Sequence, residues 1–237
     1  MTDRPGAPGL VHPPSLPLPE ELWRHGAFCV LIRAALGGAT DEWFRAHWLS
    51  GRERVGYEDG GGNWWELEVL PEGRAVLYGE DHEMSGARWL EPPLDLLAGA
   101  PEWLPLKRLR SMDDMLGHVH WFDGASWERI AYPPELRDDG LESTAGRYFT
   151  EWRALEEAMR PLGDGLLVEA DAGEGSRRAV EALFEAASRR RCTREVLDGL
   201  LGDLNRSLEY DDDPPGSLDV EAAFDIALRA GFAPPGG

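Results

Sequence analysis

Cysteine is scarce in this sequence, with Cys29 and Cys192 the two examples in 237 residues. Two thiols cannot build a disulfide framework, so stability has to come from buried apolar surface. Cys29 lies in "AFCVLI" and reads as a small buried hydrophobe. Cys192 follows "RRR", a setting that can depress a thiol pKa, and reads more simply as a solvated helix end. Positive charge is scarce as well: 24 lysines and arginines face 44 aspartates and glutamates, for a formal charge of −20. Nucleic acids and anionic membranes are bound by clustered cations that displace counterions, so this balance argues against both. Long apolar runs are missing, and none approaches the roughly 20 residues of a membrane helix. The opening "MTDRPGAPGLVHPPSLPLPE" has no apolar core of the secretory kind. A cytoplasmic location is therefore expected.

Several catalytic signatures are missing too. No Gly-x-Ser-x-Gly elbow occurs, and neither cysteine has a histidine next to it in sequence. "GEGSRR" offers half a phosphate cradle at a helix start but carries no Walker lysine. Ser176 there reads as an ordinary helix cap. No motif calls for a cofactor.

What is present indicates an α+β protein. Residues 1–19 hold six prolines and read as a disordered leader. Pro19-Glu20-Glu21 is a good helix start, and "LWRHGAFCVLIRAAL" reads as a helix closing at Gly37-Gly38, although "AFCVLI" could also be a strand. Thr40 would cap a second helix, "DEWFRAHWL", with Trp43, Phe44, His47 and Trp48 near one face. From residue 52 to residue 132 the period becomes two. Val55 and Tyr57 precede a Gly-rich turn, after which Trp65, Leu67 and Val69 alternate with Glu66 and Glu68. Pro71-Glu72-Gly73 then turns the chain into "RAVLY", which completes a three-stranded antiparallel meander.

"HVHWFDGASWERIAYPPE" repeats the logic of the first hairpin. Val55, Tyr57, Asp59, Gly60, Trp65 and Pro71 correspond to Val119, Trp121, Asp123, Gly124, Trp127 and Pro133. One sheet is expected to use both hairpins, either as true repeats or as unrelated hairpins sharing Asp-Gly turn chemistry. The intervening "ARWLEPPLDLLAGAPEWLPLKRL" is loop and short helix. "TEWRALEEAMRPL" reads as a helix that closes an α+β domain over residues 20–162.

Residues 163–237 read as a small helical unit that docks on that domain. "GDGLLVEADAGEG" is a linker or short strand, and three helices follow, opened by Ser176, Thr193 and Ser217. Val180, Leu183, Phe184 and Ala187 share a face of the first, and Val196, Leu197, Leu200, Leu201 and Leu204 a face of the second. Gly231 and Phe232 stop the third with a glycine cap and an apolar clasp.

The densest group of reactive side chains is "AVLYGEDHEMSG", residues 75–86, where Glu80, Asp81, His82, Glu83 and Ser85 follow an apolar run. His118 and His120 are two apart on a strand and so point the same way. With Asp81 and His82 they would make a catalytic or zinc-type site of imidazole and carboxylate, the basis for a small metal-dependent hydrolase. The plainer reading is that Gly79 lets the chain leave the sheet, Asp81 or Ser85 makes a local turn, and Glu80 and Glu83 face water. Adjacent Trp64 and Trp65 must point to opposite faces of their strand, so one of them leaves the first core.

The acidic charge then suggests a protein partner, since a negative field speeds encounter with basic surfaces. Solubility alone would also account for it. The partner-binding candidates are Asp59, Glu80, Asp81, Glu83 and one of Trp64 or Trp121. A regulatory or structural subunit that docks through the helical unit is a further reading.

"GRAVLYGEDHEMS", "LLAGAPEW" and "HWFDGASWERIAYP" together resemble a family of uncharacterised proteins from high-GC actinobacteria over about residues 52–135. That resemblance implies lineage and carries no activity with it. The α+β layout and acidic charge are also loosely similar to immunity proteins that neutralise polymorphic toxins, an analogy of architecture.

Overall fold

In the computed structural model the described residues are 10–11, 16–37, 46–163, 170–208 and 217–234. The period-two segments become strands of one antiparallel sheet. Leu10–Val11 is β1, Ala46–Ser50 β2, Arg54–Glu58 β3, Trp64–Val69 β4, Ala75–Glu80 β5, His118–Phe122 β6 and Trp127–Ile130 β7. Their spatial order is β1-β7-β6-β5-β4-β3-β2, so β2 to β7 form an uninterrupted meander and β1 closes its far edge. Six α-helices are described: α1 (Pro19–Ala35), α2 (Leu106–Arg110), α3 (Glu151–Gly163), α4 (Ala170–Ser188), α5 (Arg194–Ser207) and α6 (Val220–Ala230). The layout is α+β.

Alternation along the strands makes two apolar faces. Val55, Tyr57, Trp65, Leu67, Leu77, Phe122 and Trp127 belong to a core shared with α1 and with the helices from α3 to α6. Val76, Tyr78, Val119, Trp121 and Ile130 belong to a second core, covered by Leu96, Leu97, Leu104 and Leu109 from the long β5–β6 connection. Trp64 and Trp65 divide as strand geometry requires. Trp65 is fully buried in the first core, and Trp64 packs at the margin of the second with its ring edge-on to Tyr78.

"AFCVLI" lies in the middle of α1, where every residue from His25 to Ile32 is buried. A helix that is apolar all round has to be enclosed, and α1 is enclosed by β2, β3 and β4 on one side and by α3 and α6 on the other. That enclosure removes the period-3.6 signal and explains why the run could equally be read as a strand. The C-terminal helices contribute Val180, Leu183, Phe184, Leu197, Leu201, Ala223 and Phe224 to the same core as α1.

Several expectations change. The second N-terminal helix is replaced over residues 46–50 by β2, in which His47 stands opposite Tyr57 and Trp48 opposite Gly56. The Trp48 indole occupies the space that a side chain at residue 56 would need, and Leu49 is buried, so cross-strand packing overrides the helical spacing. Thr40, Trp43 and Phe44 lie outside the described residues. So do residues 1–9 and 12–15 of the leader, whereas Leu10 and Val11 pair with Ile130 and Arg129.

Ser176 caps nothing. It is buried inside α4, which already begins at Ala170, and its hydroxyl lies 3.0 Å from that of Ser207. The cap of α6 is Asp219, whose carboxylate accepts the Ala222 N–H at 2.9 Å, rather than Ser217. Thr193 does cap α5, accepting from the Val196 N–H at 3.2 Å. The Gly231 stop is left-handed, with φ 79°.

The two hairpins share one sheet and the same turn chemistry. Asp59 Oδ1 accepts the N–H groups of Gly61 and Asn63, and Asp123 Oδ1 those of Ala125 and Ser126. Their strands are out of step, however. Tyr57 stands opposite Trp65, but Phe122, not Trp121, stands opposite Trp127. That one-residue slip sends Val119 and Trp121 to the opposite face from Val55 and Tyr57. The likeness therefore belongs to the Asp-Gly turns.

Candidate interaction site

Residues 75–86 run to the end of β5 and into a turn. β5 continues through Glu80, so Gly79 lies within the sheet, paired with Trp65 on β4 and His118 on β6. The chain leaves the sheet two residues later than expected. Glu80 does not face water. It is buried and ion-paired at 2.5 Å with Arg88. Burial pushes its carboxyl above the usual range, with Arg88 opposing.

Asp81 and Ser85 build the turn that follows. Asp81 Oδ1 accepts the N–H groups of Glu83 and Met84, each at 2.9 Å, and the Ser85 hydroxyl accepts the Asp81 N–H at 2.9 Å. Burial alone would raise the Asp81 carboxyl. Hydrogen bonds from the Ser143 side chain and from the Met84 and Glu83 N–H groups outweigh it, and its pKa is lowered. Ser85 in turn donates to the carbonyl of Asp139 at 2.9 Å, and Gly86 N–H to that of Asp138 at 3.0 Å. The turn is thus clamped to a second loop.

That second loop carries Asp139, a residue the sequence reading passed over. Tyr132 donates to its carboxylate at 2.8 Å, and His120 Nε2 lies 3.6 Å from it. His118 and His120 do point the same way, with ring centroids 5.9 Å apart, and both are buried. Burial depresses His118 to about 4, the Asp139 charge opposing, and lowers His120 in the same manner. Burial would raise Asp139, but the close approach of the His120 and His118 rings and the Leu141 N–H, which donates to it at 3.0 Å, overcome it and hold the carboxyl well below its ordinary range. At neutral pH the arrangement is two buried, neutral imidazoles beside one partly buried carboxylate.

His82 is elsewhere. It is exposed, its N–H donates to Asn63 Oδ1 at 2.9 Å, and its ring lies 3.4 Å from Arg88 Nη2. Asp81, His82, His118 and His120 therefore form no common site. Among the described residues no group of three or more His, Cys, Asp or Glu is arranged to hold a metal ion.

The partner-binding candidates are similarly redistributed. Asp59 is engaged by its own turn, including the Asn63 side-chain amide at 2.6 Å. Trp64 contacts Tyr78, Trp121 is fully buried with its indole N–H donated to Glu128 at 3.2 Å, and Glu80 and Asp81 are buried. Of these candidates, Glu83 is the one that stands exposed.

Other exposed groups surround Glu83 at the same end of the sheet. Met84, Trp89 and Met115 are 48%, 70% and 48% exposed, three of the five large apolar side chains exposed among the described residues. Met84 and Trp89 belong to the connection after β5. Met115 lies just before Gly117, whose N–H donates to the Gly79 carbonyl at 2.8 Å, which brings its loop alongside. The Arg88 guanidinium stacks 4.7 Å from the Trp89 ring centroid while pairing with Glu80, and so braces the indole from below. Glu83, Glu91, Asp113 and Asp114 are exposed on the same connections. The two loops that flank this end of β5 thus carry exposed aromatic and methionine side chains together with exposed carboxylates. Trp89, Met84 and Met115 were hard to find because they sit on aperiodic, proline-interrupted sequence, where burial patterning gives no signal.

The chain matches no protein-family model, no curated protein and no solved structure. No helix among the described residues is long and apolar enough to cross a membrane.

Proposed function

We propose that this chain is a non-enzymatic protein-binding protein that engages a basic protein partner through the loops at the Glu80 end of the sheet. The observation that carries the reading is the concentration of Met84, Trp89 and Met115 on those loops, beside Glu83 and Asp114. Monomer surfaces rarely display large apolar patches without a use, and aromatic anchors ringed by polar groups are the usual energetic centre of an interface. Methionine adds a surface that can adjust to its partner. The formal charge of −20 supports a cationic partner, because like charges would repel and opposite charges speed encounter. An immunity or antitoxin-like factor acting in the cytoplasm is the biological role this reading favours, and a lineage within actinobacteria is part of the same proposal.

The test is site-specific photocrosslinking. A photoreactive residue at Met115 should capture a discrete basic protein, and the same residue at the remote Glu195 should not. Affinity for the captured protein, measured with purified components, should fall about tenfold or more in Trp89→Ala, the loss expected at an aromatic hot spot. It should also weaken strongly as the ionic strength rises from 0.1 to about 1 M, where the screening length shrinks from about 10 to 3 Å. Equal capture at both positions, or an affinity indifferent to salt and to Trp89→Ala, overturns the proposal.

A further inference from the structure

A second surface, unrelated to the loop end, lies between α3 and α4. Buried Leu155 and Phe184 line it, and Glu151, Glu181, Glu185 and Arg189 stand around them. Trp152 rises from its wall 53% exposed. A tryptophan left that open on a packed helix pair sacrifices apolar burial of the kind that elsewhere in this chain encloses Trp65 and Trp121.

The groove already shows which chemistry it favours. The Arg177 guanidinium lies 3.9 Å from the Trp152 ring centroid and is held there by Glu181 at 3.0 Å. A cation over an indole with a carboxylate behind it is the arrangement an arginine or lysine from outside would seek. Glu181 and Glu185 are one helical turn apart, about 6 Å along the axis at 1.5 Å per residue. Basic side chains spaced by four on a second helix have the same separation. Both carboxylates are paired with nearby arginines, Glu181 with Arg177 of the same helix at 3.0 Å and Glu185 with Arg189 just past its end at 2.8 Å. Exposed pairs of that spacing are weak, so exchanging partners costs little. Glu151 makes no ion pair among the described residues and adds an uncompensated charge at the same rim.

We infer that the α3–α4 groove binds a basic amphipathic helix of a partner protein. Its cations at positions i and i+4 engage Glu181 and Glu185, one of them stacks on Trp152, and its apolar residues lie over Leu155 and Phe184. This inference does not depend on the loop-end reading.

The probe is an 18-residue helical peptide of leucine and lysine with blocked termini, alongside a twin in which glutamine replaces lysine. Titration into the full chain, followed by the indole N–H resonances in a ¹⁵N-labelled sample, should shift the Trp152 signal, identified by its loss in Trp152→Phe. Trp152→Ala, and separately Glu151→Gln with Glu181→Gln and Glu185→Gln, should each weaken the lysine peptide about tenfold, from one cation–π contact or two to three ion pairs. A control with the same change in charge, Glu195→Gln with Asp198→Asn and Asp203→Asn on α5, should leave its affinity within about twofold, the range of a generic charge effect. Equal weakening by both triple variants, an unmoved Trp152 signal, or equal binding of the glutamine twin would each overturn the assignment.

Discussion

Gly79→Ala tests whether the crowding beneath the β5 turn is as tight as its geometry indicates. Gly79 is flanked in register by Trp65 on β4 and His118 on β6. A methyl group there would run into the Trp64 carbonyl oxygen, approach Trp65 Cα to 2.8 Å and His118 Cε1 to 3.0 Å. The first two are backbone atoms of a central strand, which cannot turn aside as a side-chain tip can. Overpacking in a filled core costs about 1–3 kcal/mol, and a clash with backbone belongs at the upper end, about 3 kcal/mol. For a chain of this size that lowers Tm by about 6–12 °C. The assay is thermal unfolding by circular dichroism, with urea titration to check that the transition stays cooperative. Gly73→Ala is the comparison: its turn is left-handed at φ 71° with nothing near a new side chain, so only the backbone penalty of about 1–2 kcal/mol applies. Combining Gly79→Ala with His118→Ala separates the two obstacles. Because the backbone contacts remain, removing the ring should restore little. A Gly79→Ala variant within about 2 °C of the parent, or a full rescue by His118→Ala, would refute the reasoning.

Gly199→Ala should act in the opposite direction. Gly199 is exposed in α5 with nothing near a new side chain, so alanine should add about 0.5–1 kcal/mol through helix propensity, read as a small rise in Tm. Stability should also depend on pH through the buried histidines. Folded His118 titrates at about 4 against 6.5 in the unfolded chain, so the unfolded state binds more protons between those values. Stability is then fully present above about pH 6.5 and is lost as pH falls toward 4, by about 3 kcal/mol for this one group. His120 adds in the same direction, and Asp139, also lowered, extends the loss below its ordinary range. Urea midpoints from pH 4 to 8 should show this slope and lose much of it in His118→Gln, and a flat profile in the parent would count against the buried neutral pair.

The meander was legible because its residues obey local rules. Trp65 and Leu67 alternate with Glu66 and Glu68, and the Asp59 and Asp123 turns are built by side chains that bond their own following N–H groups. The first helix was legible from Pro19 and its acids, and α5 from Thr193. β2 was not, because Trp48 has its reason in Gly56 across the sheet, a contact no local spacing encodes. Ser176 failed for a related reason: it meets Ser207 on α5, and its cap-like context in "GEGSRR" is overridden by a helix that had already begun. The out-of-step hairpins show the same limit, since one residue of register decides whether Trp121 or Phe122 joins the first core.

The candidate site was half legible, and the illegible half is informative. A cluster such as Glu80, Asp81 and His82 looks reactive in one dimension because charged and hydrogen-bonding residues are needed wherever a strand stops and its backbone groups lose their ladder. In three dimensions Glu80 and Asp81 are consumed by that need, one by Arg88 and the other by the N–H groups of Glu83 and Met84. What they leave free is what the turn was not required to use: Glu83, Met84 and, a few residues on, Trp89. A polar residue that completes a turn explains itself, but no turn requires an indole that is 70% exposed with Arg88 stacked against it. The stretch at residues 75–86 is therefore tied down by its own chain rather than open to a substrate. The Glu80–Arg88 pair and the hydrogen bonds of Asp81 and Ser85 fix the turn that carries Met84, and under the proposed function that preorganisation would reduce the entropy a partner has to overcome on binding.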